Sequence, residues 1–380
     1  MELRKIIVLS DSFKGTLSSR EICRITRSVA RELIPRCEFI ALPVADGGEG
    51  TVDCFLDGCG GEAVTLTVTG PFPEEERQAT YALLPDGTAV IECASCAGLP
   101  LVEGRRDPCR TTTLGVGQQL RHAVEHGAKR IILGLGGSAT NDGGCGAAAA
   151  MGVRFFDSAG SSFVPVGGTL KDICRIDAAP AQALLRRCPV TVMCDIDNPL
   201  FGTQGAAHVF APQKGADAAA VRLLDEGLRV LDRAMVASLG KSGAALPGAG
   251  AAGGFGAGAA IFFGAELRSG IETVLDQLRF DELLHRCDLV VTGEGRLDQQ
   301  SLRGKVVSGV AKRAKAKGVP VVALVGSIGD ESGAAYQAGV SAVFSINRRA
   351  QDFHRARQYT TANYRRCFAD LIRLLRALRR

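Results

Sequence analysis

Tryptophan is missing from this 380-residue chain, and aromatic residues make up only 5% of it. No run of about 18 consecutive apolar residues occurs, which excludes a hydrophobic helix long enough to span a bilayer. The chain enters a strand-like run, Lys5 to Ser10, without the apolar core and cleavage site of a secretory leader. The expectation is a cytoplasmic protein with reduced thiols, and thirteen cysteines, an odd number at irregular spacing, agree with it. Net charge is only +5, and residues 348–380 hold ten arginines against two aspartates. So local an excess implies a solvated terminal helix and no nucleic-acid partner. Familiar catalytic signatures are absent too. There is no Walker A motif, because Met235 stands where Gly240-Lys241-Ser242 would need an earlier glycine. Neither D-F-G nor a G-x-S-x-G nucleophile elbow occurs.

Glycine, by contrast, is abundant at 47 residues, in a chain 46% hydrophobic and 22% charged, the balance of a globular α/β enzyme. Residues 5–10 and 38–44 read as strands flanking a helix from about Ser19 to Leu33, capped at Ser18 or Ser19. From about 62 to 94 apolar and polar residues alternate around the turn Asp86-Gly87, the pattern of antiparallel sheet. Further strands are expected at 153–157 and 190–194, and helices at about 112–127, 217–239 and 255–263. The last third alternates strands 288–293, 319–326 and 341–346 with helices at about 302–317, near Ala334 and at 359–379. Five candidate parallel strands therefore suit one doubly wound sheet formed by residues 1–60 and 286–380, with an α/β domain of mixed sheet, 61–285, inserted in it.

Residues 131–146, IILGLGGSATNDGGCG, pass from a β-branched run through glycines into a helix start, which gathers backbone N–H groups suited to an anion. Ala45 to Thr51, ADGGEGT, repeats the device after the second strand. Polar clusters follow other apolar strands: Asp11 and Lys14; Asp46 and Glu49; Ser138, Asn141 and Asp142; Asp195, Asp197 and Asn198; Lys214; Glu294, Arg296 and Asp298; Lys305. Glycine loops, carboxylates and cations are the parts phosphoryl transfer needs. Three other motifs carry less. Gly134-Leu-Gly136-Gly-Ser-Ala139, with Asp157 beyond, fits a dinucleotide fingerprint and keeps an NAD-dependent hydroxy-acid oxidoreductase as an alternative, though Gly248, Gly250 and Gly253 spell the same pattern after a non-strand loop. His122-Ala-Val-Glu125-His126 matches an inverted zinc signature, but both histidines are expected on the solvent face of their helix. Cys93 and Cys96 form a lone C-x-x-C and read as small buried thiols.

The segments DSFKGTLSS, PVADGGEGT, GLGGSATNDGG, CDIDNPLFG, VFAPQKGA, PGAGAAGGFGAG and DLVVTGEGRLDQQSLRGK resemble, in order, the type I bacterial glycerate kinases, from about Ile6 to about Ile346. Ala211 stands where that pattern has glycine, Val307 where many members have proline, and Cys93 and Cys96 where Met or Ala is usual. The resemblance implies a flavodoxin- or Rossmann-like domain plus a second α/β domain with the site between them. It implies ATP and Mg²⁺ as cofactors, and phosphorylation of D-glycerate to 2-phosphoglycerate, with 3-phosphoglycerate as the alternative product. Expected catalytic residues are Asp195, Lys14, Asp46 and Lys305. Gly47, Gly48, Glu49, Gly136, Gly137, Ser138, Thr140, Asn141, Asp142, Asn198, Glu294 and Arg296 are expected to bind substrate or nucleotide, and Asp195 with Asp197 to hold magnesium. Oligomeric state is left open.

Overall fold

The run KIIVLS is buried at every residue, as a strand covered on both faces of a parallel sheet must be. The computed structural model describes residues 3–13, 15–298, 305–329, 333–349 and 352–378. In chain order its strands are β1 (Lys5–Ser10), β2 (Glu38–Pro43), β3 (Glu62–Thr69), β4 (Glu76–Leu83), β5 (Thr88–Glu92), β6 (Arg130–Gly134), β7 (Arg154–Phe156), β8 (Ser162–Phe163), β9 (Arg175–Asp177), β10 (Val190–Met193), β11 (Glu266–Arg268), β12 (Leu289–Leu297), β13 (Val321–Ile328) and β14 (Ala342–Ser345). The chain forms two compact units, one of residues 1–45, 57–59 and 271–380, the other of 46–56 and 60–270.

The first unit holds a five-stranded sheet in the order β14-β13-β12-β1-β2, every neighbouring pair parallel. Counted along the chain this is 2-1-3-4-5, the flavodoxin-like order, whose winding reverses between β1 and β12. Helix Ser19–Leu33 starts with a capping box between Ser18 and Glu21 and buries Ile22, Val29 and Ala30. The terminal helix Thr360–Leu378 presents Tyr364, Phe368 and Ile372 at four-residue spacing to the same core.

The second unit holds a six-stranded mixed sheet, β11-β10-β6-β5-β4-β3. Strands β5, β6, β10 and β11 run parallel, and the alternating segments β3 and β4 form the antiparallel edge. The 153–157 run does not join this sheet. As β7 it pairs with β8 and β9 in a separate small antiparallel sheet. Helix Leu114–Glu125 buries Val116, Leu120 and Ala123 as its periodicity predicts. His122 departs from the expected solvent face: it is half-buried, its Nδ1 lies 3.1 Å from the Tyr81 hydroxyl, and it stacks on exposed His126 at 3.8 Å. Cys93 and Cys96 are buried, as read from the sequence. Among the described residues no helix is long and apolar enough to cross a membrane.

Candidate active site

Two glycine loops of the second unit lie backbone against backbone. The Gly136 N–H donates to the Gly47 carbonyl at 2.9 Å. A Cβ on Gly136 would meet Gly48 Cα at 2.6 Å, and one on Gly134 would meet the Gly47 oxygen at 2.4 Å. Side chains there would push the loops apart, so the glycines in ADGGEGT and LGLGGS are used for close approach. Beside them a cavity of about 240 Å³ is walled by Leu135 to Ser138, by Met193 to Ile196 after β10, and by Asp46, Lys214 and Ala252. It lies at the carboxyl ends of β6 and β10, where ligands bind in parallel sheets. Ala252 borders it in a left-handed conformation, φ 50°, ahead of Gly253 and Gly254 in the same region. The regular helix over the Gly/Ala run starts only after this turn, near the expected residue 255.

Asp195 Oδ1 accepts the Gly270 N–H at 2.8 Å. A Cβ on Gly270 would come within 2.9 Å of both Asp195 Oδ2 and the Asp46 carbonyl, so the structure brings Asp46 and Asp195 to the same glycine. Asp46, Glu49, Gly137 and Asp197 are exposed, and Asp195 is half-buried. Asn198 is half-buried and donates Nδ2 to the Gln204 carbonyl at 2.9 Å within its own loop. Thr140 and Asn141 are wholly buried, and neither the Thr140 hydroxyl nor the Asn141 amide group has a hydrogen-bond partner.

Asp142 is held by the chain itself. It is fully buried and accepts from Thr113 N–H and Oγ1 (both 2.8 Å), Gly144 N–H (3.1 Å) and Gly146 N–H (3.3 Å). Burial pushes its carboxyl up, and these donors oppose the shift. Ala147 N–H goes to Thr113 Oγ1. The start of helix Cys145–Ala150 is thus satisfied by the chain's own carboxylate and hydroxyl and does not stand ready for a phosphate. The same geometry removes the dinucleotide fingerprint. The helix begins six residues after Ala139, where a dinucleotide loop would enter it directly. Asp157 is spent on Ala159 and Ser161 N–H groups in an exposed turn.

Lys214, named in the sequence only as one of several polar positions, lines the cavity although it is just 3% exposed. It ends a short 3-10 turn, Pro212–Lys214, and its Nζ donates to Ser138 Oγ (3.0 Å) and to the Thr140 carbonyl (2.6 Å). Burial lowers its ammonium to about 8.

Glu92, which the sequence reading passed over, closes the β5 strand VIE and is buried. It accepts the Val52 N–H at the start of helix Thr51–Cys59, just after the ADGGEGT loop. Its signal was a lone acid at the end of an apolar strand. Burial pushes its carboxyl up to about 7, with Asp53 and Glu49 adding to the rise and the Val52 and Gly50 N–H groups opposing it. The folded protein therefore holds a proton here where the unfolded chain has released it, and stability falls as pH rises from about 4.5 to about 7. Glu92→Gln keeps an acceptor for Val52. It should melt higher than the parent at pH 8, with the difference vanishing toward pH 5; a constant difference across that range would refute the assignment.

In the first unit, Glu294 is buried on β12 beside the point where the winding reverses, and the Asp11 N–H donates to the Gly293 carbonyl there at 2.9 Å. Arg296 is exposed, with its Nε 3.8 Å from Asp298. Lys305 stands at the N-cap of helix Val306–Ala316. Lys14 lies outside the described residues.

A parallel sheet with a reversal point, and a polar pocket over glycine loops at strand carboxyl ends, mark an α/β enzyme of small molecules. Comparison with known proteins makes this specific. Residues 6–376 match the glycerate kinase family. The chain is 44% identical to a glycerate kinase of Halalkalibacterium halodurans, over 94% of each chain, and 43% identical to the glycerate 2-kinase of Escherichia coli, over 90% of each. The crystal structure of a putative glycerate kinase 2 from Salmonella typhimurium superposes with a TM-score of 0.88 at 38% identity, covering all of both chains. The chain belongs to the glycerate kinase family and is a phosphotransferase.

Proposed function

We propose that this enzyme is a cytoplasmic kinase that moves the γ-phosphoryl group of ATP to D-glycerate and forms 2-phosphoglycerate. The observation that carries the reading is the meeting of Asp46 and Asp195 with the loop Gly136–Ser138 around one pocket. In the proposed reaction the glycerate 2-hydroxyl oxygen bonds to the γ-phosphorus, and the bond to the β–γ bridging oxygen breaks. ADP leaves with that electron pair, and the hydroxyl proton passes to a carboxylate, for which Asp195 at the pocket wall is the candidate. Backbone N–H groups of loops 46–49 and 136–138 would hold phosphate oxygens.

The donor set fits Mg²⁺. Asp46 and Asp195 offer hard carboxylate oxygens, and a kinase magnesium takes one or two carboxylates alongside substrate phosphates. Exposed Asp197 is the further candidate. Among the described residues no cluster of three or more His, Cys, Asp or Glu side chains forms a protein-only metal site. Bound there, magnesium would neutralise phosphate charge. Lys14 and Lys305 as cations for the phosphoryl group, and Glu294 and Arg296 as substrate contacts, are supported by the sequence resemblance.

The test is ATP turnover with D-glycerate and Mg²⁺, with the product read by proton-coupled phosphorus NMR. A phosphate on C2 couples to one proton and gives a doublet, which is expected; one on C3 couples to two and gives a triplet, which would move the site of transfer. No turnover by folded enzyme would refute the reading. The Escherichia coli relative's name, glycerate 2-kinase, supports the first outcome.

A further inference from the structure

We infer that Lys214 is the missing half of an ion pair, and that its partner is an oxyanion of a bound substrate, a phosphate or a carboxylate, lodged in the cavity beside Ser138. An ammonium has three N–H donors. Two are taken, by the Ser138 hydroxyl and the Thr140 carbonyl, and the side chain borders the cavity. Both partners are neutral, and among the described residues no carboxylate comes within ion-pair distance of Nζ.

The charged or titratable groups that face Lys214 do not fill the gap. Cys93 is a thiol that burial pushes far up and so holds neutral. Asp142 favours the ammonium through space, but it makes no direct ion pair with Nζ and its oxygens are bound to Thr113, Gly144 and Gly146. Burying a cation without a counter-charge is costly, and such cations are kept where something pairs with them. A lysine serving only to tie residue 214 to the 138–140 loop would need no charge, since a neutral donor makes the same two bonds.

Which substrate supplies the oxyanion rests on the kinase reading. Glycerate offers a carboxylate, ATP a phosphate.

The inference has a linked proton. An anion against Nζ favours the ammonium that burial disfavours, so binding must take up a proton once pH exceeds about 8. Isothermal titration of the full-length enzyme at pH 8.5, in two buffers of different ionisation heat, reads this directly. D-Glycerate and inorganic tripolyphosphate serve as separate probes. One of the two is expected to bind with proton uptake. Lys214→Met should weaken that probe by about 10²-fold, as loss of a charged hydrogen bond does, and should abolish the uptake while leaving the other probe within threefold. Lys214→Arg keeps the charge but cannot release it, so it should bind without proton uptake.

Uptake with glycerate alone assigns the carboxylate, and with tripolyphosphate alone the phosphate. Unchanged affinity for both probes in a folded Lys214→Met protein overturns the inference, and affinity kept in Lys214→Arg separates loss of the charge from loss of the fold. Proton-linked tripolyphosphate binding by an enzyme that fails to phosphorylate glycerate would leave the Lys214 site standing while the proposed reaction fell.

Discussion

Turnover of D-glycerate should fall by about 10²–10⁴-fold in Asp195→Asn, the range lost with a positioned acid–base group, while the melting temperature stays within about 2 °C of the parent. Asparagine retains an oxygen for the Gly270 N–H that Asp195 Oδ1 now accepts, so the loop after β10 keeps its anchor. What disappears is a negative charge at the wall of the pocket. The loss should appear in kcat more than in KM for ATP, since the substitution removes a group needed as the hydroxyl proton leaves. Stopped-time assays with purified variant and parent, paired with thermal melts, decide it. Near-parental kcat would take Asp195 out of the chemistry.

Asp142→Ala should do the reverse and fail in stability first. Four donors converge on that carboxylate: Thr113 through backbone and hydroxyl, and the Gly144 and Gly146 N–H groups. Removing it strands them in the interior, where each unsatisfied group costs about 1–3 kcal/mol. A net loss of about 3–5 kcal/mol is expected, after some relaxation, and is read as a shift in urea midpoint at unchanged slope. Asparagine at the same place should recover part of it, because one oxygen survives. A midpoint unmoved by Asp142→Ala would mean that water replaces the carboxylate, and the assignment of Asp142 as a structural brace would fall.

The contrast between these two aspartates shows where sequence reading reaches and where it stops. Runs such as KIIVLS and VVALVG announce parallel strands by composition alone, and the five expected strands line up as β1, β2, β12, β13 and β14. The three-residue strands β9 and β11 carry no period long enough to detect. Glycine loops after strands were equally visible, and the loops 46–49 and 136–138 do meet, through the Gly136 N–H and the Gly47 carbonyl. Asn141 and Asp142, however, are adjacent polar residues with nothing local to tell them apart. The difference is made by Thr113, 29 positions away, which claims Asp142 and leaves Asn141 without a partner. Lys214 and Glu92 were hidden for a related reason: burial of a charge is a property of what packs around it, and the sequence shows only the charge.

The order of assembly follows from the way the first sheet is threaded. Its central strand β1 pairs on one side with β2 and on the other with β12, Ile6 lying opposite Leu289. During synthesis the ribosome must therefore complete the whole of residues 60–270 before β1 can meet its second neighbour. Two parallel strands alone are not a stable sheet, whereas the second unit carries its own core. The inserted unit is thus set to fold while the N-terminal strands wait, with KIIVLS as the stretch a nascent-chain chaperone would have most reason to cover.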